Sequence, residues 1–219
     1  MTAMDPVRVK DYILSLSSER DSFLSQLRAE AERDRVPIIR EETEELLKTL
    51  IKLKAPSLVL EIGTAIAYST IVMARSCDAG IVTMENYQKR IERARDNIMR
   101  SGFSDRIRLM EGDAGELLRK LPEEAGYEAG FDLIFLDAAK GQYINWLPDI
   151  KRLMNRGSLL IADNVLQDMT VMESRFTVER RERTTHKRMR DFLYAIKHDP
   201  ELSSSVIPIG DGVSLSVKI

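Results

Sequence analysis

The strongest constraint on how this chain can fold is an alternation of short apolar runs with amphipathic stretches, starting near residue 58. Leu58–Ile62, Ile81–Glu85, Ile107–Met110, Phe131–Leu136 and Leu159–Ala162 are apolar runs of strand length. Stretches with helical spacing lie between them, over 66–75, 87–100, 114–121 and 142–154, the last containing Pro148. Strands separated by helix-length crossovers pair in parallel, and strands apolar on both sides are covered on both faces. A long loop to about residue 176 leads to a predicted helix over 178–197, with Met189, Phe192, Leu193 and Ile196 on its buried side. Val206–Ile209 and Val213–Val217 then flank Gly210-Asp211-Gly212, a hairpin signal that sets the last strand antiparallel to its neighbour. The expected sheet is seven-stranded and mostly parallel, with the last strand reversed.

Residues 6–34 read as helical, from Tyr12, Ile13 and Leu16 and then Phe23, Leu24 and Leu27. Val36-Pro37-Ile38-Ile39 interrupts, since the residue before a proline avoids helical geometry. A second helix starts near Arg40, with Leu46, Leu47, Leu50 and Leu53 as its apolar stripe. Glu41, Glu42, Glu44 and Glu45 suit its positive end. Residues 1–55 are expected to form a helical lid on a core of 56–219, the whole a single domain. One cysteine, Cys77, excludes a disulfide framework, and no apolar run approaches the ~20 residues that span a bilayer. The first residues, MTAMDPVRVKDY, lack the apolar segment of a secretory signal, so a soluble cytoplasmic protein is expected.

Two predicted strands end in carboxylates, Asp137 in FDLIFLDAAKGQY and Asp163 in LLIADNV, and Asn164 follows directly. Strand C-termini of a parallel sheet share one edge, where ligands bind. Three oxygen-bearing side chains there suit a hard divalent cation. Lys140 is a candidate base, with a pKa expected to be depressed by the cation and by burial. The alternative is that Asp137 caps a helix and Asp163-Asn164 merely marks a turn. His186 and His198 are too few for a zinc site and read as surface or helix-end residues.

Glu61-Ile62-Gly63-Thr64-Ala65 joins the first strand to a helix, and Gly63 permits a tight turn and close approach of a ligand. Glu85 ends the second strand, where an acid can accept both hydroxyls of a ribose. Ala65 and Ala67 stand where a dinucleotide fingerprint would have further glycine. That disfavours a pyrophosphate cofactor and suits S-adenosylmethionine. Asp113, after the third strand, either flanks the adenine or caps the next helix, and both can hold. Ser69 either meets the methionine carboxylate or faces solvent, and Tyr68 can equally be core. Arg175, Arg180, Arg181, Arg183, Lys187, Arg188 and Arg190 form a basic run beside the substrate loop. Arg183, Lys187 and Arg190 share a helix face. The strip is either a solvated face or a surface for phosphates, and its place tips the reading to RNA.

LEIGTAIAYS, GDA, IFLDAAKGQY, IADNVL and PIGDG together resemble the cation-dependent O-methyltransferases related to catechol and caffeoyl-CoA O-methyltransferases. Within that family the DAAKGQY motif, the VPI segment and the terminal PIGDG are most similar to the bacterial tRNA 5-hydroxyuridine methyltransferases. The resemblance implies a Rossmann-like class I methyltransferase fold. It implies magnesium, or a similar ion, at Asp137, Asp163 and Asn164, and a base at Lys140. It implies S-adenosylmethionine contacts at Ile39, Gly63, Ser69, Glu85, Asp113 and Ala114, with Glu61 and Asp137 counted among them. Arg175, Arg180, Arg183, Lys187 and Arg190 become candidates to hold a tRNA anticodon loop, the acceptor being 5-hydroxyuridine at the wobble position. The alternative acceptor is a small catechol-like phenol. A homodimer is also implied. Two departures stand out: Ala67 replaces a usual glycine, and Gln167-Asp168-Met169 replaces a glycine-containing turn.

Overall fold

The computed structural model describes residues 6–16, 21–124, 126–167 and 169–219. Helices α1 (Pro6–Ser15), α2 (Ser22–Arg33) and α3 (Glu41–Lys54) precede the sheet. The stretch read as one helix is therefore two. Asp21 ends the break as the N-cap of α2, its carboxylate accepting from the amides of Phe23 and Leu24. In α3 the acids Glu41, Glu42 and Glu44 sit in the first turn and Lys52 and Lys54 in the last, both matching the helix dipole. Its buried stripe runs through Leu47 and Ile51, whereas Leu53 is exposed.

The elements that follow are β1 (Leu58–Ile62), α4 (Tyr68–Ser76), β2 (Gly80–Glu85), α5 (Gln88–Ser101), β3 (Ile107–Glu111) and α6 (Ala114–Lys120). After them come β4 (Phe131–Leu136), α7 (Tyr143–Leu153), β5 (Met154–Ala162), α8 (Arg183–His198), β6 (Leu202–Ile207) and β7 (Val213–Lys218). The seven strands lie in the order β3-β2-β1-β4-β5-β7-β6. Only β7 is reversed, inserted antiparallel between β5 and β6. The hairpin expectation holds, but β6 starts at Leu202, ahead of the apolar run, because Ser203–Ser205 pair with β7 through their backbones.

Strand side chains alternate between two cores. Val59 of β1 and Leu133 and Phe135 of β4 pack with α2, α3 and α4 on one face. Leu60 and Ile62, with Ile134 and Leu136, pack with α7 and α8 on the other. Leu24, Leu27, Ala31, Leu47 and Ile51 belong to the first core, so α2 and α3 wall the sheet rather than hang over it as a lid. Tyr12, Ile13 and Leu16 of α1 remain exposed. Among the described residues, no helix is long and apolar enough to cross a membrane. The chain steps outward in opposite directions from β1 and β4, which creates a crevice at their C-terminal ends.

Candidate active site

A cavity of about 970 Å³ fills that crevice. Gly63 and Ala65 line it from the end of β1, Glu85 and Asn86 from β2, and Gly112, Asp113 and Ala114 from β3. Asp137 and Lys140 line it from β4 and Asn164 from β5. The strand ends are held together by bonds that extend the ladders: the Gly63 amide donates to Met84 O at 3.1 Å, Asp137 to Ile62 O at 3.0 Å and Asp163 to Leu136 O at 3.0 Å. Gly63 has φ of 107°, and a Cβ there would lie 2.1 Å from the Asp137 carbonyl oxygen. No side chain fits, so the glycine lets the β1 and β4 ends touch.

Glu85 is pre-aimed. Its Oε2 accepts from the Ala65 amide at 2.9 Å, and its Oε1 from the amides of Asn86 and Tyr87, each at 3.0 Å. Asp113 caps α6 by accepting from the Glu116 amide at 3.1 Å, and it also lines the cavity. Ala65 and Ala67 take left-handed backbones, with φ of 48° and 66°. Ala67 thus adopts at a steric cost the conformation that glycine adopts freely. The turn after β5 behaves alike, with Asn164, Gln167 and Met169 at φ of 57°, 48° and 67°; Asp168 lies outside the described residues.

Three expected cofactor residues do not line the cavity. The Ile39 side chain is buried in the core, and its carbonyl accepts from Arg28; Pro37, Ile38 and Arg40 line the cavity instead. Glu61 is fully buried beneath the loop, its carboxylate accepting from Ser69 at 2.5 Å, from Thr83 at 2.6 Å and from Thr70. Burial pushes its pKa up to about 7 despite the three hydroxyl donors. Ser69 is therefore neither solvent-facing nor open to the cavity; it ties the start of α4 to Glu61. Tyr68 is core, its hydroxyl donating to Glu44 at 2.7 Å.

At the other end of the cavity, Lys140 Nζ lies 2.7 Å from Asp137 Oδ1 and 3.1 Å from the Tyr143 hydroxyl. That hydroxyl is buried between the carbonyls of Leu136 and Asp163. Burial works against the Lys140 ammonium, but Tyr143 and Asp137 outweigh it and hold the pKa above the ordinary lysine value. Burial alone acts in the expected direction, and the depression expected beside a cation belongs to the cation-bound site. Asp163 is 1% exposed, behind the rim. Burial, and then the negative charge of Asp137, hold its carboxyl well above the usual range. Among the described residues, no group of three or more His, Cys, Asp or Glu side chains is placed to hold a metal. The candidate donor set is two carboxylates and the Asn164 amide. Two carboxylates that repel one another are relieved by a cation, and all-oxygen donors suit a hard divalent ion, so these residues fit one.

Trp146 on α7, with Arg40 and Asp211, also lines the cavity. The sequence reading passed over all three. Trp146 falls three residues beyond Tyr143 on the same helix, a spacing that would have placed it. His186 is buried, not superficial, at 2% exposure. His198 is exposed at the end of α8, stacked on Tyr194.

The basic run is only partly available for a partner. Helix α8 begins at Arg183, not at residue 178, and Arg183 folds back to the carbonyls of Val178 at 3.1 Å and Phe176 at 3.5 Å. Arg190 reaches Glu173 O at 3.4 Å, Arg188 reaches Gly141 O at 3.2 Å, and Lys187 pairs with Asp191 at 2.6 Å. On the shared face, Arg183 and Arg190 clasp the preceding loop, while Lys187 makes an exposed pair within its own helix. Arg175 and Arg180 are exposed beside Phe176, itself 84% exposed.

A family model described as O-methyltransferase matches residues 14–219. A catechol O-methyltransferase of Niastella koreensis is 35% identical over 133 residues, 60% of this chain and 59% of that protein. Caffeoyl-CoA O-methyltransferase 2 of Populus trichocarpa is 29% identical over 181 residues, 80% of this chain and 72% of that one. The match therefore spans less than two thirds of the Niastella protein. Among solved structures, a Staphylococcus aureus protein given the provisional name caffeoyl-CoA O-methyltransferase aligns with a TM-score of 0.88 at 30% identity, covering 97% of this chain and 100% of that one. An O-methyltransferase of Bacillus cereus in complex with SAH aligns with a TM-score of 0.85 at 26% identity, covering 97% of each chain.

Proposed function

This chain belongs to the O-methyltransferase family, and we propose that it moves the methyl group of S-adenosylmethionine to the 5-hydroxyl of 5-hydroxyuridine at the wobble position of a tRNA. The cofactor reading is supported by the pre-aimed Glu85 carboxylate and the glycine-tight turn at Gly63, and by the SAH bound in the Bacillus relative. Glu85 would accept the ribose hydroxyls. Asp113 and Ala114 would flank the base, with Trp146 offering an aromatic wall.

Asp137, Asp163 and Asn164 would hold a divalent cation. A bound cation would lower the pKa of the acceptor hydroxyl and offset the carboxylate charge that holds Lys140 protonated. Lys140 Nζ, tethered by Tyr143, would take the hydroxyl proton. Methyl transfer from a sulfonium is an in-line displacement, so alignment of oxygen and methyl carbon supplies much of the rate. Two vicinal oxygens are the acceptor chemistry such a site takes; 5-hydroxyuridine supplies them as a hydroxyl and a carbonyl.

One observation carries the RNA reading: the loop continuing from the cavity wall at Asn164 and Gln167 exposes Phe176 between Arg175 and Arg180. An exposed ring flanked by cations suits unpaired bases and phosphates. The second reading, a small catechol-like phenol, is favoured by the names of the Niastella and Populus relatives. The exposed Tyr12, Ile13 and Leu16 of α1 support a homodimer under either reading. The decisive assay supplies purified protein, S-adenosylmethionine and magnesium to 5-hydroxyuridine-bearing tRNA and analyses the nucleosides by mass spectrometry. The expected product is 5-methoxyuridine, absent when a chelator is added. Unmodified tRNA alongside methylated catechol would replace the first reading with the second.

A further inference from the structure

We propose that Asp211 is a positioning residue that sets which end of the Asn164 amide faces a bound cation, and that Arg40 holds Asp211 in that role. The inference rests on the cation-assisted reading above. Asn164 stands on the cavity wall, in a left-handed backbone with φ of 57°. Its Nδ2 donates to Asp211 Oδ2 at 3.2 Å. A carboxylate only accepts, so it selects the amide nitrogen and turns the amide oxygen elsewhere. This choice matters because the two ends of an amide are unequal toward a metal. The oxygen offers lone pairs, whereas the NH2 offers only hydrogens. Rotated by half a turn, Asn164 would meet a cation with its donor end.

Asp211 cannot easily drift from this position. Arg40 Nη2 lies 2.5 Å from its Oδ1, leaving Oδ2 for the amide. The turns carrying the two residues are also joined through their backbones: the Leu166 amide donates to Asp211 O at 2.8 Å and the Val165 amide to Gly212 O at 2.9 Å. The glycines on either side have no room for a side chain. A Cβ on Gly212 would lie 2.3 Å from Leu166 Cγ, and one on Gly210 would lie 2.9 Å from Thr43 Oγ1. The GDG sequence thus does more than close a hairpin. It wedges a carboxylate between the Arg40 guanidinium and the Asn164 amide, all three on the wall of the cavity.

The test measures Mn2+ binding to the full chain by electron paramagnetic resonance, with SAH binding and melting recorded alongside. Asp211→Ala is expected to weaken Mn2+ binding by about 10-fold or more, the scale of losses when the partner of a metal ligand is removed, with SAH affinity retained. Adding Asn164→Asp to Asp211→Ala is expected to restore Mn2+ binding, since a carboxylate presents oxygen either way round. A purely structural role for Asp211 would show no such rescue. Should Asp211→Ala melt out, Asp211→Asn keeps the shape and is expected to weaken Mn2+ binding in the same direction. Native Mn2+ affinity in whichever Asp211 variant folds overturns the proposal, as does a loss that Asn164→Asp leaves unrepaired. Native affinity in Asn164→Ala removes the amide from the donor set, and the cation reading loses that ligand with it.

Discussion

Glu61, part of the LEIGT motif, is a buried acid with a structural part of its own. It lies on the β1 face that packs against α4, where it is fully buried and accepts from three hydroxyls. Its pKa is raised from 4.5 to about 7, chiefly by burial. The folded protein then binds more protons than the unfolded chain between those values. The stability from this raised pKa is complete below about 4.5 and lost as pH rises through about 7, a change of roughly 3 kcal/mol by linkage. Glu61→Gln keeps the shape without the titration, so melting temperature recorded from pH 5 to 7 should fall less steeply in the variant than in the native protein. Equal slopes would place the titration elsewhere. At this scale the sequence put Gly63, Glu85, Asp137, Lys140 and Asn164 at strand ends, and all five line the cavity, because strand-end position suffices for that. It did not show that Glu61, Ser69 and Ile39 sit behind the cavity wall, because spacing says which loop a residue occupies and not whether its side chain points out of the sheet or into it.

At the scale of elements, the segment from residue 166 to 182 is the informative one. The helical pattern read back to residue 178 was overridden by clasps: Arg183 takes the carbonyls of Val178 and Phe176, and Arg190 takes that of Glu173. Charge patterning cannot separate an arginine that binds a partner from one that satisfies a carbonyl of its own chain. Arg183→Ala should therefore loosen the loop more than the fold. Tryptic cleavage after Arg175, Arg180 and Arg181 is expected to accelerate, while stability falls by only about 1 kcal/mol, the scale of a lost side-chain hydrogen bond. A cleavage rate unchanged from native would show the loop to be held by other contacts. The buried His186 is the matching case on α8: it reads as a surface or helix-end residue, yet it lies with Met189 and Phe192 among the helix's buried residues.

For the whole molecule, the sheet order gathers the tips of β1 to β5 around one cavity, and the segment after β5 leaves from its wall. If that loop meets RNA, the cations left outside the clasps should carry the effect. Reversing Arg175 and Arg180 to Glu is expected to lower tRNA turnover by about 10-fold at moderate salt and to flatten its salt dependence, with catechol turnover unchanged. Equal loss on both substrates would point to a disturbed site, and no loss on either would remove the loop from RNA recognition.

The alternation of apolar runs and helices determined the mostly parallel sheet, and strand-end carboxylates determined where its chemistry gathers. Both are local consequences of periodicity and of where a strand must stop. The tertiary structure alone decided which side chains reach the cavity, that Lys140 pairs with Asp137 and Tyr143, that Arg183 and Arg190 bond to the loop before their own helix, and that Asp211 meets Asn164 from 47 residues away. Those outcomes depend on distances between segments remote in the chain, and electrostatics and hydrogen bonding respond to such distances, not to sequence order.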